Sequence, residues 1–145
     1  MKHNGLKLLL IALASLLFTI NAEATGHSHH KLVIQVSSAD QKAMNIALNN
    51  AVNVQKAYGM DNVDVEIVAY GPGLKMLTAG HKLNKRVSSL AQQNITFSAC
   101  GNTLKAMSKK NHGKMPKLSE GVQVVSAGVS RIIELQEDGY SYIRP

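Results

Sequence analysis

Five short apolar runs, each parted from the next by a helical stripe, limit most strongly what this chain can fold into. The first is Lys31-Leu32-Val33-Ile34-Gln35-Val36-Ser37, β-branched and apolar at successive positions. Strands covered on both faces read this way. Val63 to Tyr70, Ile95 to Ala99, Val122 to Val125 and Tyr140 to Arg144 are the other four. Between the first two lies a long helix to Tyr58, with a stripe of Met44, Ala47, Leu48, Ala51 and Val52. Ser38 and Gln41 have the spacing of a capping box at its start, and Gly59 is placed to end it. A short helix near Leu74–Gly80, a second piece over 84–93, one from Thr103 to Lys110 and one before Gly139 fill the remaining gaps. In that last helix Val129, Ile132, Ile133 and Gln136 mark one face.

Strands that alternate strictly with helices pair in parallel, because parallel neighbours need crossover connections and these are right-handed. The expectation is an α/β fold: a five-stranded, mostly parallel sheet with helices on both faces, flavodoxin-like in the order 2-1-3-4-5. In the second strand Asp64 and Glu66 alternate with apolar residues, which points to a wetter face or an edge position.

The segment ahead of the first strand has a different character. Lys2 and Lys7 precede an apolar run from Leu8 to Ile20, and Ala22-Glu23-Ala24 is a small-x-small cleavage signal. The run is shorter than the roughly 20 residues of a membrane-crossing helix, so residues 1–24 read as a secretory signal peptide. An uncleaved anchor is the alternative. Residues 25–30 form a His-rich flexible tail and 31–145 a single domain. The mature protein is then periplasmic or secreted, without stable membrane insertion. Losing Lys2, Lys7 and Glu23 takes the net charge from +7 to +6. With four Tyr, two Phe and no Trp there is little aromatic surface for stacking on bases, so nucleic acid is not the expected partner. A basic surface that draws small anions or anionic head groups is.

Cleavage after Ala24 would begin the mature chain Thr25-Gly26-His27. A free amine, two backbone amides and a third-position imidazole give a square-planar nitrogen site for Cu(II) or Ni(II), which His29 and His30 could extend. Otherwise no cofactor is expected, and the alternative for these histidines is a solvated tail.

The third strand runs into Cys100, the only cysteine. A single thiol closes no disulfide within the chain, even in an oxidising compartment. Cys100 sits at the carboxyl end of a strand and beside a helix N-terminus. Ligands of open α/β sheets collect beyond carboxyl ends, and helix N-termini favour a thiolate. A strand order of 2-1-3-4-5 would open a crevice between the first and third strands. It would be lined by Ser37, Ser38 and Asp40 on one side and by Cys100, Gly101 and Asn102 on the other. The Gly71-Pro72-Gly73 turn adds N–H groups for an anion, although a tight turn into a helix explains it as well. There is no Cys-x-x-Cys and no resolving cysteine. Catalysis as a cysteine hydrolase would need His81 or His112 as base. Lys105 and Arg131 read as solvated helix residues or as anion holders, and Met44 and Met107 as core filler. The alternative for Cys100 itself is a small buried apolar residue.

Four separated blocks carry a resemblance: Tyr70–Leu74, Ile95–Leu104, Val125–Gln136 and Gly139–Pro145. Together they resemble the DsrE/DsrF-like family over the chain from about Lys31. The resemblance implies a flavodoxin-like fold and homo-oligomers, often trimers or hexamers. It also implies a cysteine that passes persulfide sulfur between donor and acceptor proteins, and Cys100 matches that cysteine. Relay members work in the cytoplasm, whereas this chain bears an export signal, so either its sulfur donor differs or its role has changed. A sulfur carrier, rather than a turnover enzyme, is the expectation. The alternative is a non-catalytic oligomeric ligand- or partner-binding module in which Cys100 is structural.

Overall fold

The computed structural model describes residues 29–145. The signal peptide, the anchor alternative and the Thr25-Gly26-His27 metal site therefore lie outside the described residues. Five strands form one sheet: β1 (His30–Val36), β2 (Val63–Ala69), β3 (Ile95–Cys100), β4 (Val122–Val125) and β5 (Ser141–Ile143). Every pairing is parallel, so the sheet is wholly parallel rather than mostly so. Four α-helices accompany it among the described residues: α1 (Gln41–Tyr58), α2 (Asn84–Ala91), α3 (Gly101–Lys110) and α4 (Gly128–Glu137). The Gly71–Leu77 segment is a 3-10 turn rather than an α-helix. Among the described residues no helix is long and apolar enough to cross a membrane.

The strand order is β4-β3-β2-β1-β5, which corrects the expected 2-1-3-4-5. The chain steps one way from β1 through β4, and right-handed crossovers then put α1, α2 and α3 on a single face. Only the return from β4 to β5 travels the other way, and it lays α4 across the opposite face. The two faces have separate cores. Ile34, Ile67, Phe97, Met44, Leu48 and Val87 belong to the large one, and Val33, Val68, Ile132 and Leu135 to the small one. Each fully buried Ile, Leu or Phe contributes about 1.5–3 kcal/mol. The Met44, Ala47, Leu48, Ala51 stripe of α1 is buried as its spacing predicts.

Three local expectations are corrected. The N-cap of α1 is Asp40, whose Oδ1 accepts from the Lys42 N–H at 3.0 Å; Ser38 Oγ accepts from the Asp40 N–H instead. In α4 the packed residues are Ile132 and Leu135, while Val129 and Ile133 are more than half exposed. The helix turns 100° per residue, and arginine at 131, not valine at 129, faces the sheet. Strand β2 is central, and its Glu66 is only 3 % exposed. A lone helix covers this face, and a polar layer lies beneath it. Arg131 donates from Nε and Nη2 to the two Glu66 oxygens at 2.9 and 2.8 Å. Ser98 Oγ donates to Glu66 Oε1 at 2.6 Å, and Gln123 Nε2 donates to Ser98 Oγ at 2.9 Å. Arg131 is thus an internal anchor, neither a solvated cation nor an anion holder, and the carboxylate raises its already high pKa.

At the amino edge β1 starts at His30, one residue earlier than expected. His29 Nε2 pairs with Asp64 Oδ2 at 2.9 Å, and the His30 ring stacks on Tyr58 at 3.8 Å. Both are engaged with the domain rather than part of a free tail.

The Arg131–Glu66 pair gives a stability prediction. Arg131→Ala leaves a buried carboxylate without its partner and should cost about 3–5 kcal/mol in urea unfolding. Replacing both residues with Met should cost clearly less, because no charge is then stranded. Equal losses for the two variants would show that the pair does not anchor α4.

Candidate functional site

The reversal of the chain at β4 decides where the carboxyl edge opens. The connection leaving β3 goes to the α3 face and that leaving β4 goes to the α4 face. Adjacent strands whose connections part in this way leave a crevice beyond their ends. The switch point therefore lies between β3 and β4, not between β1 and β3 as expected. Cys100 is the last residue of β3 and stands at it.

Cys100 is 6 % exposed, just beneath the surface. Two helices begin around it: α3 at Gly101 and α4 at Gly128. The approach of α4 requires glycine. A Cβ on Gly128 would lie 3.1 Å from the Tyr70 Cβ and 3.3 Å from the Cys100 Cβ. Burial pushes the Cys100 thiol up, but hydrogen bonds from the Thr103 hydroxyl and from the backbone N–H groups of Thr103, Gly128 and Asn102 more than offset it. The thiol therefore titrates below its ordinary range. Both helix dipoles act in the same direction.

The other expected site residues divide into two groups. Gly71, Asn102 and Thr103 share the wall of one cavity, and the Gly71 N–H donates to Thr103 Oγ1 at 2.9 Å. Gly101 lets α3 start against the end of β4: its Cβ would fall 3.0 Å from the Val125 carbonyl oxygen. Gly73 is structural. A Cβ there would come within 2.7 Å of the Val36 carbonyl carbon, so the turn can lie on the end of β1 only without a side chain. Ser37 and Ser38 do not reach the thiol, because β2 stands between β1 and β3. Ser37 Oγ accepts from Gln35 Nε2 at 3.2 Å. Asp40 is occupied as a helix cap.

Neither His81 nor His112 is hydrogen-bonded to Cys100. His81 Nδ1 accepts from the Leu83 N–H at 3.2 Å, and burial, then the charge of Lys82, hold its imidazole below the usual range. His112 has φ +52° in the turn after α3. A thiol with N–H donors around it and no histidine bonded to it lacks the base that hydrolysis needs. Among the described residues no group of three or more His, Cys, Asp or Glu is arranged to hold a metal. Sequence reasoning missed Tyr70, Thr103 and Gly128 as neighbours of the thiol. Their signal was Thr103 on the first turn after Cys100 and a glycine opening the last helix.

Known structures carry the same architecture. A protein of unknown function, MTH1491 from Methanobacterium thermoautotrophicum, is 33% identical with a TM-score of 0.71, covering 80% of this chain and 99% of its own. The ychN protein from E. coli matches at 15% identity and a TM-score of 0.62, over 79% of this chain and 97% of that one. BT1422 from Bacteroides thetaiotaomicron, a conserved protein of unknown function, matches at 15% identity and 0.57, over 81% and 97%. The last two share the fold alone. No curated protein matches the chain. The model of the DsrE/DsrF-like family matches residues 30–145, and with Cys100 at the end of its third strand the chain belongs to that family.

Proposed function

We propose that this protein is an exported sulfur carrier that accepts sulfane sulfur as a persulfide on Cys100. The observation that carries this reading is the setting of one sulfur atom among the N–H groups of two helix starts, at the parting of β3 and β4. The step needs no second cysteine. The Cys100 thiolate attacks the outer sulfur of a donor persulfide, R–S–SH. A new S–S bond forms, the donor S–S bond breaks, and R–S⁻ departs. The proton stays on the transferred sulfur, and there is no net oxidation. Attack on that outer sulfur by an acceptor thiolate returns Cys100 to its starting state. The Lys2–Ala24 leader pattern supports export, to the periplasm or beyond.

A homo-oligomer belongs to the same proposal. Val124 on the edge strand β4 and Val129 and Ile133 on α4 are each more than half exposed. Exposed aliphatic residues on an unpaired edge strand and its adjoining helix suit a second copy of the chain.

Four measurements test these readings. Treating the protein with a sulfane sulfur donor should add one sulfur by intact mass, and Cys100→Ser should add none; an unmodified native protein would leave Cys100 a packing residue. Alkylation rate against pH should show a midpoint below the ~8.5 of a free thiol, and Thr103→Val should raise it. The sign also fixes a stability trend. A depressed folded-state pKa stabilises the fold above the unfolded-state pKa, and that contribution is lost as pH falls through the folded value. The stability deficit of Cys100→Ser should therefore widen as pH rises towards and past the ~8.5 of a free thiol. By light scattering the protein should exceed the monomer mass, and Val129→Asp/Ile133→Asp should reduce it; a native monomer removes the assembly.

A further inference from the structure

A cavity of about 550 Å3 lies between the Gly71–Leu77 turn and α3. Pro72, Ala106 and Met107 give it an apolar lining. Met107, expected as core filler, is only partly buried and contributes to this wall. Lys75 and Lys110 also line the cavity, and no acidic residue does. Both lysines are exposed, and neither ammonium has an ion-pair partner among the described residues. Lys105, read from the sequence as a solvated helix residue or an anion holder, is not part of this lining. Thr103 belongs to both places: it lines the cavity, and its hydroxyl faces the Cys100 sulfur.

We propose that this cavity holds the body of a small anionic sulfur donor, an organic persulfide bearing carboxylates on an apolar frame, whose outer sulfur reaches Cys100 past Thr103. The inference rests on Cys100 as a sulfur acceptor and adds the chemical class of the donor. The volume lies within the ordinary range for small-molecule sites. Two unpaired cations over an apolar lining select carboxylates on a hydrocarbon frame, and a neutral or cationic donor of the same size gains nothing from them. Each exposed lysine alone contributes little, so selection comes from the pair together with the apolar contact. The transfer is the one above: the thiolate takes the outer sulfur, and the donor leaves as a carboxylate-bearing thiolate. Its second negative pole is then released to solvent from the lysine rim.

The test uses two donors and one inert probe. Mercaptosuccinate persulfide carries two carboxylates, mercaptoethanol persulfide none, and benzylsuccinate has two carboxylates on an apolar body with no sulfur to give. At low salt the purified protein should take sulfur from mercaptosuccinate persulfide about tenfold faster than from mercaptoethanol persulfide. Lys75→Glu/Lys110→Glu should abolish that preference and leave the rate with mercaptoethanol persulfide within about twofold. Benzylsuccinate should shift the backbone amide resonances of Lys75, Asn102 and Ala106, and the double variant should lose the shifts while keeping its melting temperature. Unmoved resonances, or equal rates for the two donors in the native protein, overturn the proposal. Binding of benzylsuccinate without sulfur transfer from either persulfide would overturn Cys100 as acceptor, and with it the donor class, while leaving the anion site standing.

Discussion

A single helix, α4, crosses the second face of this sheet, and the rest of the molecule depends on how it is held. Because β1 to β4 are laid down in one direction, right-handed crossovers send α1, α2 and α3 to the same side. The other side is covered only on the return to β5. Ile132 and Leu135 cover Val33 and Val68, but three strands there also bury a polar residue, Gln35, Glu66 and Ser98, beside the exposed Gln123 of β4. Buried polar atoms demand partners. They find them in one another, in Tyr142, whose hydroxyl donates to Gln35 at 2.7 Å, and above all in Arg131. The pair with Glu66 holds α4 on the sheet and so holds the N–H of Gly128 against Cys100. Structural electrostatics on one face thereby sets the chemistry of a thiol at the edge.

The sulfur is held between opposing effects. Removal from water alone would raise the thiol's pKa and make it inert. Donors on two helix starts and a hydroxyl reverse that, so Cys100 is nearly covered and yet titrates below its ordinary range.

The alternation of strands and helices was plain in the sequence, and with it the parallel sheet, the helix stripe of α1 and the position of Cys100 at the end of β3. Strand order was not, since hydrophobic periodicity reports which face a residue takes and not which strand lies beside it. Glu66 shows the cost of that gap. In a linear reading a carboxylate between valine and isoleucine signals an edge; here it is central, because an arginine sixty-five residues later reaches it. Val129 and Ile133 misled in the opposite sense, as apolar residues at helical spacing that face outward. Ser38 and Asp40 both suit a helix start, and only backbone geometry separates them. The crevice moved from one strand pair to another, yet Cys100 lies in both versions, because every carboxyl end of a parallel sheet points the same way.

That shared polarity also separates the two ends of the described residues, His29 and Pro145. β1 climbs from His30 at one pole to Val36 at the other, about 20 Å at ~3.3 Å per residue. β5 runs beside it in the same sense and finishes at the pole of the sulfur. A tether joined next to His29 would therefore grip the domain at the amino ends of its strands and leave the pole of Cys100 facing outward. The same tether joined after Pro145 would crowd it.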